Sequence, residues 1–218
     1  MKRLLHALEE LLWPRGVQCL CCGELSDGKS LCEACAADLK AMRLKAAHAG
    51  NDAIRSVWRY DGCAKELILS LKLRCLGDAA DVLADGMADA ARAMALPPET
   101  VLTWVAMPIV RQRERGIDHG RMLCEAVAAR LGLPAVQLLE RTGKVHTQRG
   151  LSREKRLRNL QGTIRCMKAI STPVLLIDDV LTTGATASVC ASELLKAGAP
   201  GVHVLTAARV MQHPSNNA

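Results

Sequence analysis

The sequence predicts an α/β fold, a mostly parallel sheet flanked by helices, with a small cysteine-rich module near its N-terminus. Three observations carry that expectation. From residue 53 onward, short β-like runs alternate with segments of helical apolar spacing, the pattern of strands joined by crossover helices. The run VLLI, residues 174 to 177, is continuously aliphatic, as a central parallel strand covered on both faces must be. Five of the ten cysteines fall within residues 17 to 37, where they form a module of their own.

Taken in order, MKRLLHALEELLW begins like a secretion signal, but Leu4, Leu5, Leu8, Leu11 and Leu12 recur at helical spacing with Glu9 and Glu10 between them. That pattern is an amphipathic helix. Glu33 to Lys45 reads as a helix leaving the cysteine module, and AAHAGND, residues 46 to 52, as a linker. The chain therefore divides into residues 1–50, the helix and module, and residues 51–218, the α/β domain. In the latter, SVWRY, VLTWVAM, VLLID and VHVLTAA read as strands, and helices are expected near 62–72, 78–94, 119–131 and 185–197. Leu83, Met87, Ala90 and Met94 share one helix face, and Ala187, Cys190, Leu194 and Ala197 another, both expected to pack on the sheet.

Half of the 218 residues are apolar, enough for a proper core. A formal charge of +7 favours anionic partners: nucleic acid, phosphorylated metabolites or a membrane surface. No run approaches the roughly 18 apolar residues of a membrane span, so a cytoplasmic protein without membrane insertion is expected, its cysteines mostly reduced. Three Trp, one Tyr and no Phe leave little for a base-stacking platform. Oligomeric state is left open.

Cys19, Cys22, Cys32 and Cys35 form two Cys-x-x-Cys pairs nine residues apart, with Gly23 available for a tight turn. This is zinc-ribbon spacing, and four thiolates close a tetrahedral Zn²⁺ with no open position, a structural role. Cys21 is left spare. A disulfide pair or a redox Cys-x-x-Cys motif are the competing readings. A reducing compartment disfavours the first, and the second does not require two pairs.

Asp178 and Asp179 follow VLLI where ligands of open α/β sheets bind, beyond the carboxyl ends of the strands. The next residues, Thr182, Thr183, Gly184, Ala185 and Thr186, can turn so that N–H groups and hydroxyls converge on a phosphate at the start of the following helix. A nucleotide hydrolase would need G-x-x-x-x-G-K-[ST], which the chain lacks. A phosphorylation receiver would carry its acids near the start of its fold. A simple N-cap by Thr182 or Thr183 would explain one polar residue, but not two acids followed by this loop. Two basic stretches are candidates for a second anion site. MPIVRQRERG, residues 107 to 116, carries Arg111, Arg113 and Arg115 just past a strand; RTGKVHTQRGLSREKRLRNLQGTI, residues 141 to 164, has seven basic residues against one acid. Solvated surface is the ordinary explanation for both. Lys72, at a helix end, is a weaker candidate.

LLIDDVLTTGAT resembles the phosphoribosyl-pyrophosphate signature of type I phosphoribosyltransferases. Taken together, the cysteine ribbon, Y-D-G…LKLRCLGD, MPIVRQRERGIDHG and TQRGLSREKRLRNLQGTI resemble the ComF/GntX group of that fold, whose members are linked to competence and DNA uptake. The resemblance implies that Asp178 and Asp179 bind the ribose hydroxyls and that Thr182, Thr183, Gly184, Ala185 and Thr186 cradle the 5-phosphate. By the same resemblance Lys72, Arg111, Arg113 and Arg115 lie by the pyrophosphate, while Lys144, Gln148, Arg153 and Arg156 belong to a flexible loop, Lys144 and Arg156 with a catalytic role. Mg²⁺ accompanies the donor, and Zn²⁺ is structural. The chain departs where the group has Asn-Gln, carrying Asp118 and His119, and it has ligands for one cysteine ribbon where relatives often have two. The implied activity is transfer of ribosyl phosphate from 5-phosphoribosyl 1-pyrophosphate to an unidentified acceptor. The alternatives are a non-catalytic accessory protein that binds single-stranded DNA or competence proteins, and a sensor that binds the donor without chemistry.

Overall fold

In a computed structural model the described residues are 17–45, 53–74, 77–105, 107, 116–141 and 162–211. In chain order the elements are α1 (Glu33–Ala41), β1 (Ile54–Arg59), α2 (Gly62–Leu69), a π-helical turn (Ser70–Arg74), α3 (Gly77–Arg92), β2 (Val101–Trp104), α4 (His119–Leu131), β3 (Leu139–Arg141), β4 (Ile164–Cys166), β5 (Val174–Leu181), α5 (Ala185–Lys196) and β6 (Val202–Arg209). Strands β1, β6, β5 and β2 pair side by side, all parallel, and β3 and β4 form a separate antiparallel pair. This is the mostly parallel, helix-flanked sheet that the alternating pattern predicts. The expected N-terminal helix and the 46–52 linker lie outside the described residues.

β5 is central and buried on both faces because its side chains alternate between two cores. Leu175 and Ile177 join a cluster built with α2, α3 and α4, whereas Val174 and Leu176 join one built with β3, β4 and α5. Leu83, Met87 and Met94 are buried in the first, and Ala187, Cys190 and Leu194 in the second, as their helical spacing implies. Cys19, Leu31 and Leu39 also lie in the first cluster, so the cysteine module packs on the same core as the domain.

Four elements differ from the sequence reading. α1 stops at Ala41 instead of running to Lys45, because residues 42–44 are drawn to the edge of β1: Leu44 N–H donates to the Val57 carbonyl and Arg59 N–H to that of Met42, both at 2.9 Å. The helix after β1 widens into a π-helical turn, which keeps Leu71 fully buried while Lys72 stays partly exposed. β5 continues through both aspartates to Leu181 instead of ending at them. The β3–β4 pair was not foreseen, since three residues per strand are too few to show a period of two.

Gly86 of α3 fits because it has no side chain: a Cβ there would run into the Trp58 ring of β1. Trp58 is 3% exposed and has no room to yield. Gly86→Ala is therefore expected to lower stability by about 1–3 kcal/mol through overpacking, despite alanine's better helix propensity. Denaturant unfolding that showed the variant as stable as the parent would contradict this close helix–sheet approach.

Candidate functional site

Asp178 and Asp179 stand as fifth and sixth residues of β5, near its carboxyl end. Their surroundings differ. Lys72 Nζ donates to Asp179 Oδ1 at 2.7 Å, and His119 Nε2 lies 3.2 Å from Oδ2, so both oxygens of this 12%-exposed carboxylate are held by cationic or ionisable donors. Burial alone would raise the Asp179 pKa, but the His119 hydrogen bond and the Lys72 charge outweigh it and leave it below the ordinary carboxylate value. Asp178 accepts from the Asp179 backbone N–H at 2.9 Å. Burial, reinforced by the neighbouring Asp179 charge, pushes its pKa up to about 7 against opposition from that hydrogen bond, Lys72 and Arg141. Two adjacent acids thus acquire opposite protonation behaviour, a division of labour common at functional sites.

The sequence after β5 turns through Gly184, whose φ of 75° lies in the left-handed region, where glycine adopts the conformation without a Cβ penalty. Gly184, not Thr182 or Thr183, is the N-cap of α5, and no side chain caps it. The nearest threonine contact is Ala185 N–H to Thr183 Oγ1 at a long 3.4 Å. Neither Thr182 nor Thr183 is thus the N-cap residue. The turn presents hydroxyls and the positive end of a helix on the same strand that carries the acids, a combination that suits an anion.

His119 was not singled out as a site residue from sequence, although its position beside Asp118 was noted as unusual. Asp118 turns away from the acidic pair. It caps α4 by accepting from Gly120 and Arg121 N–H, and it accepts from Trp104 Nε1 at 3.1 Å. That capping delivers His119, the first residue of α4, to Asp179. Among the described residues His119 Nδ1 is buried without a hydrogen-bond partner.

Lys72, Asp178, Asp179 and the Thr182–Thr186 turn are described. Arg111, Arg113, Arg115, Lys144, Gln148, Arg153 and Arg156 lie outside the described residues. The residues flanking both undescribed segments are informative. Val105 N–H approaches the Ile177 carbonyl at 3.4 Å, and His119 meets Asp179, so Val105 and His119 both contact the strand that carries the acids. Arg141, whose charge reaches Asp178, and Ile164 are paired across the β3–β4 ribbon.

In the module, the sulfurs of Cys19, Cys22, Cys32 and Cys35 lie within 4.8 Å of one another, so the four can hold a metal ion. Burial would raise the Cys19 pKa, but backbone N–H groups of Cys22, Cys32 and Cys21 bring it down to about 6, whereas burial and the neighbouring thiols push Cys35 up. A donor set of four sulfurs fits a soft or borderline cation such as zinc. Cys21 is not spare: it is disulfide-bonded to Cys63, in the first turn of α2. Cys63 is far off in sequence, so spacing within the module could not reveal the pair.

Asp178 makes the site sensitive to pH. Burial pushes its carboxyl up to about 7 in the folded protein from an ordinary 3.8, so between these values the folded state holds the extra proton. Its contribution to stability is full below about pH 4 and is lost as pH rises through about 7. Asp178→Asn removes that loss, and its melting temperature should gain on the parent's between about pH 4 and pH 7 and level off above that. A gap independent of pH would show that Asp178 ionises normally.

No protein-family model matches the chain. It is 32% identical over 111 residues to DNA utilization protein YhgH of Salmonella typhi, covering 49% of each chain. It is 31% identical over 119 residues to Competence protein F of Haemophilus influenzae, covering 51% of each. The chain thus spans about half the length of these curated relatives. Among solved structures it is similar to adenine phosphoribosyltransferase from Leishmania tarentolae, at 16% identity and a TM-score of 0.39 over 64% of this chain and 74% of that one. It is also similar to orotate phosphoribosyltransferase from Aeropyrum pernix, at 16% and 0.38 over 62% and 61%. Over about half its length, then, the chain is a homologue of proteins named DNA utilization protein YhgH and Competence protein F.

Proposed function

We propose that the protein binds 5-phosphoribosyl 1-pyrophosphate and transfers its ribosyl phosphate to an acceptor. The observation that carries this reading is the pairing, at the end of one strand, of two partly buried acids with a Thr-Thr-Gly-Ala-Thr turn opening α5. Asp178 and Asp179 offer acceptors to ribose hydroxyls, and the turn offers N–H and hydroxyl donors to the 5-phosphate. As the anomeric carbon gains positive character and pyrophosphate departs, carboxylates on the ribose side and cations on the leaving-group side stabilise opposite ends of the displacement. Lys72 is paired with Asp179, and Arg111, Arg113 and Arg115 would add cations for the pyrophosphate. Lys144, Gln148, Arg153 and Arg156 would supply further cations and a side-chain amide to the departing pyrophosphate.

Mg²⁺ suits the hard oxygens of the donor and of the acidic pair, and when bound it would neutralise charge developing on the pyrophosphate. Because Lys72 and His119 already occupy both oxygens of Asp179, the carboxylate is oriented for hydroxyl groups before any ion arrives. Asp178→Asn combined with Asp179→Asn should weaken donor binding roughly 100-fold or more in calorimetry with Mg²⁺, through loss of the charge-assisted acceptor at Asp179 and of the carboxyl at Asp178. Unchanged affinity would sink the ribose assignment. Release of pyrophosphate in the presence of a panel of bases and amines would identify the acceptor and separate an enzyme from a donor sensor.

For the module we propose a structural Zn²⁺ held by Cys19, Cys22, Cys32 and Cys35. Cys22→Ser or Cys32→Ser should release this ion to a chromogenic chelator and lower the melting temperature by several degrees, since binding energy of such sites is folding energy. Loss of metal without loss of stability would contradict a structural role.

The names of the curated relatives support a second reading, an accessory protein for DNA uptake that binds single strands through its basic segments without turnover. A steep fall of DNA binding with salt, together with no affinity for the donor, would favour it over transfer.

A further inference from the structure

Cys35 belongs to two thiol sets. Its sulfur lies within 4.8 Å of those of Cys19, Cys22 and Cys32, and within the same limit of those of Cys21 and Cys63, which are bonded to each other. The first set is the ribbon tetrad. The second spans the module and the domain: Cys21 sits inside the first Cys-x-x-Cys loop, and Cys63 opens α2. Cys63 is 4% exposed, and its backbone N–H donates to Asp38 Oδ2 of α1 at 2.7 Å. Leu20 is tied in turn to Ser70 Oγ through its carbonyl at 3.3 Å, so the three sulfurs are fixed by backbone anchors on both sides.

We propose that Cys21, Cys35 and Cys63 form a second site for a thiophilic metal ion, adjoining the tetrad through a shared Cys35 thiolate and opened by reduction of the Cys21–Cys63 bond. Sulfurs around a tetrahedral Zn²⁺ with bonds of about 2.3 Å are about 3.8 Å apart, so small side-chain shifts bring these three onto one ion, a water completing its shell. The disulfide accounts for Cys21 and Cys63 and the tetrad for Cys35, but neither accounts for the approach of Cys35 to the disulfide. While the bond is closed, neither sulfur is a thiolate donor. When a phosphine reductant breaks it, two electrons pass from phosphorus to the sulfurs, and water supplies the oxygen of the phosphine oxide and two protons for the thiols. The ion then displaces the thiol protons. The same residues thereby join the module to α2 in both states, by a covalent bond when oxidised and through metal when reduced.

The test is metal stoichiometry on the full chain. Protein stripped of metal is reduced with phosphine or kept oxidised, loaded anaerobically with Zn²⁺, desalted and measured for zinc per chain, with Co²⁺ spectra as a second readout of thiolate ligation. Reduced wild type is expected to retain two ions, and oxidised wild type, Cys63→Ser and Cys21→Ser one each. The ion retained by the tetrad reports that each variant is folded. Cys21 is the more accessible position, which guards against a packing defect at Cys63. One ion in reduced wild type, two in the oxidised protein, or two in both serine variants would each overturn the proposal.

Discussion

The site depends on one electrostatic problem, the placement of two neighbouring carboxylates inside the end of a buried parallel strand. Water solvates such groups far better than a protein interior does, so each must be neutralised or paired. The fold does both. Asp179 is paired at its two oxygens by Lys72 and His119, while Asp178 is pushed toward the neutral form by burial and by its neighbour's charge. The arrangement draws three elements to one point: the π-helical turn after α2 supplies Lys72, the start of α4 supplies His119, and β5 supplies the acids.

Local structure around that point follows from the same constraint. The wider π-helical turn permits Leu71 to stay in the core while Lys72 reaches across to Asp179, consistent with such turns recurring at functional sites. Asp118, by capping α4 and holding Trp104, fixes the first residue of that helix where its imidazole can meet the strand. Beyond the acids, Gly184 turns the chain into α5 without engaging either threonine as a cap. The cysteine module is continuous with this framework, since Cys63 opens the helix whose C-terminal extension carries Lys72.

Much of this was legible in the sequence because it rests on periodicity and contiguous motifs. The parallel sheet was visible in alternating strand-like and helical runs. The acidic pair and the threonine-glycine turn were visible because they are adjacent in the chain. What escaped was non-contiguous or short. The β3–β4 ribbon has too few residues per strand to show a pattern, and Arg141 was noted as part of a charge run, not as a neighbour of Asp178. Extension of β5 through the aspartates contradicts the intuition that acids end a buried strand. It is tolerated because cationic partners arrive from other elements.

By itself the sequence determined the order of the main strands and helices, the sheet class, the four metal-capable cysteines, and the adjacent acidic pair and threonine-glycine turn. Each of these is encoded by local spacing or by side-chain chemistry at neighbouring positions. Only the tertiary structure decided which groups converge: Lys72 and His119 on the two oxygens of Asp179, Asp118 turned to a helix cap, Cys21 joined to Cys63. The reason is that charge pairing and burial are properties of distance in space. Lys72 and Asp179 are 107 residues apart in the chain and 2.7 Å apart in the fold.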